Sequence, residues 1–166
     1  MKKRLMFLVI PVFFLIGCSL SNTPTAKAEE LFNKYQKLDS EITSEISLVL
    51  DGQNLTESQK ERYRKILEKQ YTNLTYQIKD EQIDGDTALV TAEIEVLDLK
   101  RAIDDLYFDS SIYTKRTYDE EKLTRLENTK NKVIYTLELN AYKDQNGNWK
   151  LNALSNDKIK KIQGMY

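Results

Sequence analysis

The sequence predicts an α+β fold in which a curved four-stranded antiparallel sheet packs against a long N-terminal helix and further helices. Three observations carry this prediction. Helical spacing of apolar residues fills the segment after Pro24, alternating polar and apolar residues form two separate hairpins, and helical segments flank both hairpins. The predicted order is α-α-β-β-α-α-β-β-α, and no linker divides residues 25–166, so we expect one domain.

The long N-terminal helix is predicted from Pro24 to Leu50. Its apolar residues recur at spacings of three and four, as on one face of an amphipathic helix. Pro24 suits the first turn of a helix and Gly52 suits its end. Such a helix would be about 40 Å long, so it needs a broad partner such as a sheet. The apolar positions are Ala28, Leu31, Phe32, Tyr35, Leu38, Ile42, Ile46, Val49 and Leu50.

The first hairpin follows a second, charged helix. That helix is predicted to begin at a capping box formed by Thr56 and Gln59. The spacing of apolar residues then changes to two over 74–78 and 88–96, and Gly85 supplies the turn. On this reading Glu93, Glu95 and Glu138 point away from the core. The small residues Ala88 and Ala92 would leave room for a crossing helix or for a ligand.

Helical spacing returns between the hairpins and again at the end of the chain. We predict a helix from Asp98 to about Ser110, a loop over 110–117, and a charged helix starting at a capping box of Thr117 and Glu120. The second hairpin combines alternation over 133–141, a two-residue Asn146-Gly147 turn and a short strand over 148–151. A last helix over 156–163 is capped by Ser155.

The first residues have the pattern of a secretory leader. Three cations, Lys2, Lys3 and Arg4, precede a twelve-residue apolar run over 5–16, which is shorter than the ~20 residues of a membrane-spanning helix. The run ends in Leu15-Ile16-Gly17-Cys18-Ser19. This stretch resembles the lipobox of bacterial lipoproteins. The resemblance implies cleavage between Gly17 and Cys18, and a diacylglyceryl group on the Cys18 thiol.

The resemblance defines a signal peptide over 1–17 and a lipidated tether over 18–24. Because two acyl chains hold a protein far more firmly than one, the resemblance implies a lasting attachment to the extracytoplasmic face of the cell membrane. Loss of the three leader cations leaves 22 basic and 26 acidic residues, a net charge of −4. That balance does not favour nucleic acid as a partner.

Composition excludes several kinds of catalytic and metal site. The chain has no His and one Cys. It therefore cannot assemble a Ser-His-Asp or Cys-His system, a His-bearing or Cys₄ zinc site, or an intramolecular disulfide. The acidic clusters at 104–105 and 119–121 lack the spacing of a calcium loop. No catalytic residue, metal site or cofactor is predicted.

The predicted domain is similar to NTF2-like (cystatin-like) α+β domains, and most of all to those of small surface lipoproteins of Gram-positive bacteria. The residues that carry the resemblance are Asp86–Ala92 on the second strand, Gly147–Leu151 before the closing helix, and Ile159–Tyr166. The resemblance implies a cone-shaped space between the helices and the sheet. Because this fold serves enzymes, carriers and interaction modules, it does not define a function.

Two functions follow from the residues. The first is a non-enzymatic binding module of the cell envelope, anchored through Cys18, whose partner is an envelope protein or a small ligand. The alternative is a small-pocket enzyme or a carrier of hydrophobic ligands on the same fold. The residues predicted to line such a pocket are Tyr35, Tyr76, Tyr135 and Trp149. In each case the competing interpretation is that the aromatic ring fills the core.

Overall fold

A computed structural model describes residues 22–166 and confirms the α+β fold class. Six helices and four strands alternate in the predicted sequence of helical and hairpin segments. The helices are α1 (Pro24–Lys37), α2 (Ser40–Asp51), α3 (Glu57–Thr72), α4 (Leu99–Ala102), α5 (Lys115–Asn128) and α6 (Asn156–Ile162). The strands are β1 (Thr75–Asp84), β2 (Thr87–Leu97), β3 (Lys132–Lys143) and β4 (Trp149–Leu151).

The four strands form one antiparallel sheet in the order β1-β2-β3-β4, so β1 and β4 are its edges. Side chains alternate across β2 as predicted, with Val90, Ala92 and Ile94 fully buried. Glu93 and Glu95 occupy the intervening positions on the opposite face. A bulge between Ile78 and Asp80 interrupts the regular pairing of β1 with β2.

Helix α1 packs against all four strands and fills the space beneath the sheet. The Phe32 ring is fully buried and stacks on Tyr76 at a centroid distance of 4.6 Å. Ala28 and Phe32 share one apolar cluster with Ala92 and Leu137. The small side chain of Ala92 thus accommodates a crossing helix, which decides between the two explanations offered by the sequence.

The long N-terminal helix is two helices. Helix α1 ends at Lys37, and its C-cap, Leu38, has a φ of 50° in the left-handed region. Asp39 is the N-cap of the next helix. The Asp39 carboxylate accepts hydrogen bonds from the backbone N–H groups of Glu41 and Ile42, which makes it a good N-cap. The spacing of apolar residues continues across the break because both helices turn their apolar faces to the same core.

The segment between the hairpins also differs from its prediction. Helix α4 ends at Ala102 instead of about Ser110, and turns follow it. Helix α5 begins three residues earlier than predicted, because Thr114 rather than Thr117 is its N-cap. Thr114 and Thr117 form the capping box, with the Thr117 hydroxyl accepting from the backbone N–H of Thr114. The capping box at Thr56 and Gln59 is confirmed.

A buried amide connects α3, the end of β2 and the end of α6. Gln70 is fully buried, and its Nε2 donates to the backbone oxygens of Leu97 and Ile162, both at 3.2 Å. Its Oε1 accepts from the N–H of Leu97 at 3.1 Å. Gly164 lies against the same amide with a φ of 66°. These contacts hold the C-terminal segment to the sheet.

Candidate functional site

An open groove lies between one flank of α1 and the edge strand β4. We call it the α1–β4 groove, and it encloses about 760 Å³. Within α1, Lys27, Leu31 and Lys34 line it because residues at i, i+4 and i+7 share one flank of a helix. The lining residues are Asn22, Lys27, Glu30, Leu31, Lys34, Asp144, Asn148, Trp149, Lys150 and Leu151.

Asn22 closes one end of the groove by binding the second hairpin. Its Oδ1 accepts a hydrogen bond from the backbone N–H of Trp149 at 2.7 Å. Its Nδ2 donates to the backbone oxygen of Gly147 at 3.1 Å. The side-chain amide therefore contacts the edge of β4 with one donor and one acceptor, as the main chain of a neighbouring strand would.

The first turn of α1 is held at the other edge of the sheet. The backbone N–H of Thr25 donates to Glu81 Oε2 on β1 at 2.7 Å. The Thr23 hydroxyl caps the helix by accepting from the N–H of Ala26. The segment over 22–25 thus contacts both edge strands, β1 through Glu81 and β4 through Trp149.

The groove has mixed charge with an excess of lysine. Lys27 pairs with Glu30 at 2.8 Å, and Lys150 pairs with Asp144 at 3.1 Å. Lys34 pairs with Glu41 of α2, also at 2.8 Å. Because these pairs are partly exposed, each contributes little free energy to the fold. An acidic ligand could therefore replace the present partners of the lysines at small cost.

Asp144 organises the turn at the end of the groove. Its carboxylate accepts from the backbone N–H groups of Asn146 and Asn148 at 2.9 and 3.0 Å. The hydrogen bond from Asn148, together with Lys150, holds the pKa of the Asp144 carboxyl below its usual value. The turn spans 144–148, so it is longer than the predicted two-residue turn, and Gly147 takes the positive φ of 76°.

Of the four residues predicted to line a pocket, Trp149 borders the α1–β4 groove. Its ring is buried against Ala88 and Ala141, so it forms part of the core and the floor of the groove. Lys143 Nζ lies 5.1 Å from the centre of the ring, within range of a cation–π contact.

The three predicted tyrosines lie in separate surroundings rather than around one cavity. Tyr35 is buried and packs edge-on against Tyr71, with 5.0 Å between ring centres. Burial raises the pKa of both phenols, that of Tyr71 to about 12. Tyr76 stacks on Phe32, and the Tyr135 hydroxyl donates to the backbone oxygen of Tyr166. Aromatic packing therefore occupies the space that the sequence left open for a ligand.

Gly17 and Cys18, the predicted cleavage and lipidation residues, lie outside the described residues. Within 22–166, no group of three or more Asp, Glu or Cys side chains is placed to hold a metal ion. No helix of this range is long and apolar enough to cross a membrane.

Sequence reasoning missed Asn22 and the lysine-bearing flank of α1. Asn22 falls in the predicted tether, and nothing in its local sequence indicates a contact with residues 147 and 149. The sequence does place Lys27, Leu31 and Lys34 at helical spacing, which indicates that they share one flank of a helix. A charged flank is, however, common on any helix that packs on a sheet.

No protein family and no curated protein matches the sequence. Among solved structures, the chain is similar to a candidate lipoprotein (YcdA) from Bacillus subtilis, with 15% sequence identity and a TM-score of 0.43. The aligned region covers 82% of this chain and 46% of that one, so this chain spans less than half the length of that protein.

Proposed function

We propose that this protein is a lipid-anchored, extracytoplasmic lipoprotein of the cell envelope that acts as a non-enzymatic binding module. The observation that carries the proposal is the short distance in sequence between the predicted anchor at Cys18 and Asn22, which binds the folded domain at one end of the α1–β4 groove. Anchor and groove are therefore joined by a segment of a few residues.

The anchor itself is supported by the ordered elements of the leader. A cationic start, a twelve-residue apolar run and a Leu-Ile-Gly-Cys sequence follow one another over residues 2–18. Cys18 is the single cysteine of the chain, so thiol alkylation has one target. A diacyl group would supply the firm attachment that one acyl chain does not give.

The binding role is supported by the groove. It has a volume of about 760 Å³, it combines an apolar floor with lysine and carboxylate side chains, and its walls come from elements fixed to the core. This combination of apolar surface and a few polar groups is typical of binding sites. The partner is an envelope protein or a small ligand.

The alternative, an enzyme or a hydrophobic-ligand carrier with an interior pocket, has less support. It requires open space between α1 and the sheet, and in the described part of the chain Phe32, Tyr35 and Ala28 fill that space with almost no exposed surface. The carboxylates of β2 also point to the opposite face of the sheet. Among residues 22–166 no Asp or Glu is buried, whereas proton-transfer chemistry of this kind needs a carboxyl group in an apolar interior.

The anchor is tested by labelling cells that express the full chain with an alkyne analogue of palmitate and separating membrane from soluble fractions. We expect label and membrane retention for the wild type, and neither for Cys18→Ala. Ser21→Ala, three residues further along, is the matched control and should behave as wild type. Retention of Cys18→Ala in the membrane, or an unlabelled wild type, would contradict the anchor.

A further inference from the structure

The edge of β4 directs main-chain groups into the α1–β4 groove. On either side of this short strand, the backbone N–H of Asp144 donates to Asn148 O and that of Asn152 donates to Asn140 O, both at 2.9 Å. The N–H and C=O groups of successive residues point alternately to the two sides of an antiparallel strand. Lys150, midway between Asn148 and Asn152, therefore directs its main-chain groups towards β3 as they do. Trp149 and Leu151 consequently direct their N–H and C=O groups away from the sheet.

One of these outward groups is already bound in the way that a strand would bind it. The N–H of Trp149 donates to Asn22 Oδ1, and the neighbouring outward oxygen of Gly147 accepts from Asn22 Nδ2. The side-chain amide of Asn22 thus takes the place of one peptide group of a fifth strand. Beyond it, the outward groups of Leu151 lie beside the flank of α1 that carries Leu31 and Lys34.

We propose that the α1–β4 groove binds an extended polypeptide segment that pairs with the edge of β4 as a fifth strand. The proposal rests on the binding role given above and specifies the chemistry of the partner. Strand addition of this kind takes its affinity from main-chain hydrogen bonds and its selectivity from alternate side chains. Because Asn22 holds the N–H of Trp149, the groups left to a segment are the C=O of Trp149 and the N–H and C=O of Leu151. The paired region is therefore at most about three residues, roughly 10 Å of extended chain.

The side chains around the groove define what such a segment carries. Leu31 and Leu151 offer apolar contact to one residue of the segment, and Lys27 and Lys34 flank that contact along the helix. Lys27 and Lys34 now pair with Glu30 and Glu41, and because these ion pairs are partly exposed, acidic residues of a bound segment can replace the two glutamates at small cost in free energy. The preferred segment therefore has an apolar residue between acidic ones.

The test uses a phage-displayed library of random dodecapeptides, selected against the full chain in detergent micelles. Affinities of the enriched peptides are then measured by fluorescence polarisation. Leu151→Pro removes an outward N–H without removing a bond to β3, whereas Leu151→Val keeps that N–H and an apolar side chain. We expect Leu151→Pro to weaken binding by about tenfold, the effect of losing one well-formed hydrogen bond, and Leu151→Val to leave it nearly unchanged.

A second measurement does not depend on the stability of the proline variant. Two versions of the selected peptide are compared, one N-methylated at its odd-numbered and one at its even-numbered backbone nitrogens. Because a strand pairs with its neighbour through every second residue, only one of the two versions should lose its binding to the wild type. Reversing charge with Lys27→Glu and Lys34→Glu should reduce the affinity for acidic peptides.

Three results would overturn the proposal: no enriched peptide, equal binding by wild type and a folded Leu151→Pro, or insensitivity to methylation in both registers. None of them bears on lipidation of Cys18, which the labelling experiment reports independently. Loss of the label with intact peptide binding would contradict the anchor and leave the strand-addition site in place.

Discussion

The side-chain amide of Asn22 binds the backbone N–H of Trp149 across a separation of 127 residues. The same amide donates to the oxygen of Gly147, so the start of the described chain and the second hairpin form one end of the domain. Asn22→Ala should lower the free energy of unfolding by about 1–2 kcal/mol, since two hydrogen bonds are lost. Urea denaturation followed by Trp149 fluorescence measures the change.

Asn22→Asp is the control for this prediction. The carboxylate keeps the acceptor for Trp149 but sets an oxygen against the carbonyl oxygen of Gly147, so this variant should also be less stable than wild type. An alanine variant as stable as wild type would show that this contact does not hold the hairpin.

Replacing Gly164 should be among the most damaging changes of a glycine in this domain. A Cβ at this position would lie 1.9 Å from the backbone oxygen of Leu97 and 2.7 Å from Gln70 Nε2, and the residue has a positive φ. We expect Gly164→Ala to cost at least about 3 kcal/mol, because both steric overlap and backbone strain oppose it. Thermal unfolding by circular dichroism provides the measurement.

Gly85→Ala separates backbone strain from steric overlap. Gly85 has a similar φ of 58°, but a Cβ there would meet no atom within 4 Å. Gly85→Ala should therefore lower the free energy of unfolding by only about 1–2 kcal/mol, the cost of a left-handed conformation for a non-glycine residue. Equal losses for the two variants would refute the steric explanation.

The buried side-chain amide of Gln70 should contribute more to the free energy of unfolding than the partly exposed amide of Gln36. Gln70→Leu leaves the N–H of Leu97 and the oxygens of Leu97 and Ile162 without this partner at a fully buried position. We expect a loss of about 2–4 kcal/mol, because each buried polar group retains its desolvation cost. Gln36→Leu, which removes one bond to the oxygen of Leu74, should cost about 1 kcal/mol. The comparison is made by urea titration, and a smaller loss at Gln70 than at Gln36 would contradict it.

The pKa of Asp144 predicts a dependence of stability on pH. Hydrogen bonds from the turn lower this pKa below its ordinary value of 3.8, so folding favours the ionised form. The stabilisation is fully present above pH 3.8 and is lost as the pH falls through the lower pKa of the folded state. Asp144→Asn cannot ionise, so wild type should be more stable at pH 6, and the difference should shrink below pH 3.8. A difference that is constant between pH 6 and 2.5 would contradict this assignment.

The sequence predicted the regular elements better than their junctions. The hairpin at Gly85 and the capping box at Thr56 depend on residues close in sequence, and both are confirmed. The break at Leu38 was missed because the apolar period runs through it, although Asp39 is a good N-cap. Thr114 and Thr117 have the same side chain, and the N-cap of α5 is Thr114 instead of the predicted Thr117.

The groove could not be predicted because its defining contacts join distant residues. The sequence identifies Lys27, Leu31 and Lys34 as one flank of a helix, but not that β4 lies beside this flank. Trp149 was predicted to line a pocket; its ring is buried with Ala88 and Ala141 and also borders the groove. Phe32 and Tyr35 fill the space beneath the sheet that the sequence left open for a ligand. Whether the space beneath the sheet is open or filled depends on the volumes of side chains from several elements. A local sequence pattern does not contain that information.

The double attachment of residues 22–25 has a mechanical consequence. A pull on the chain preceding Asn22 reaches the domain at two margins, through the amide on Trp149 and through the carboxylate of Glu81 beneath Thr25. Tension applied from a membrane would thus be shared between the first and last strands instead of peeling one of them away.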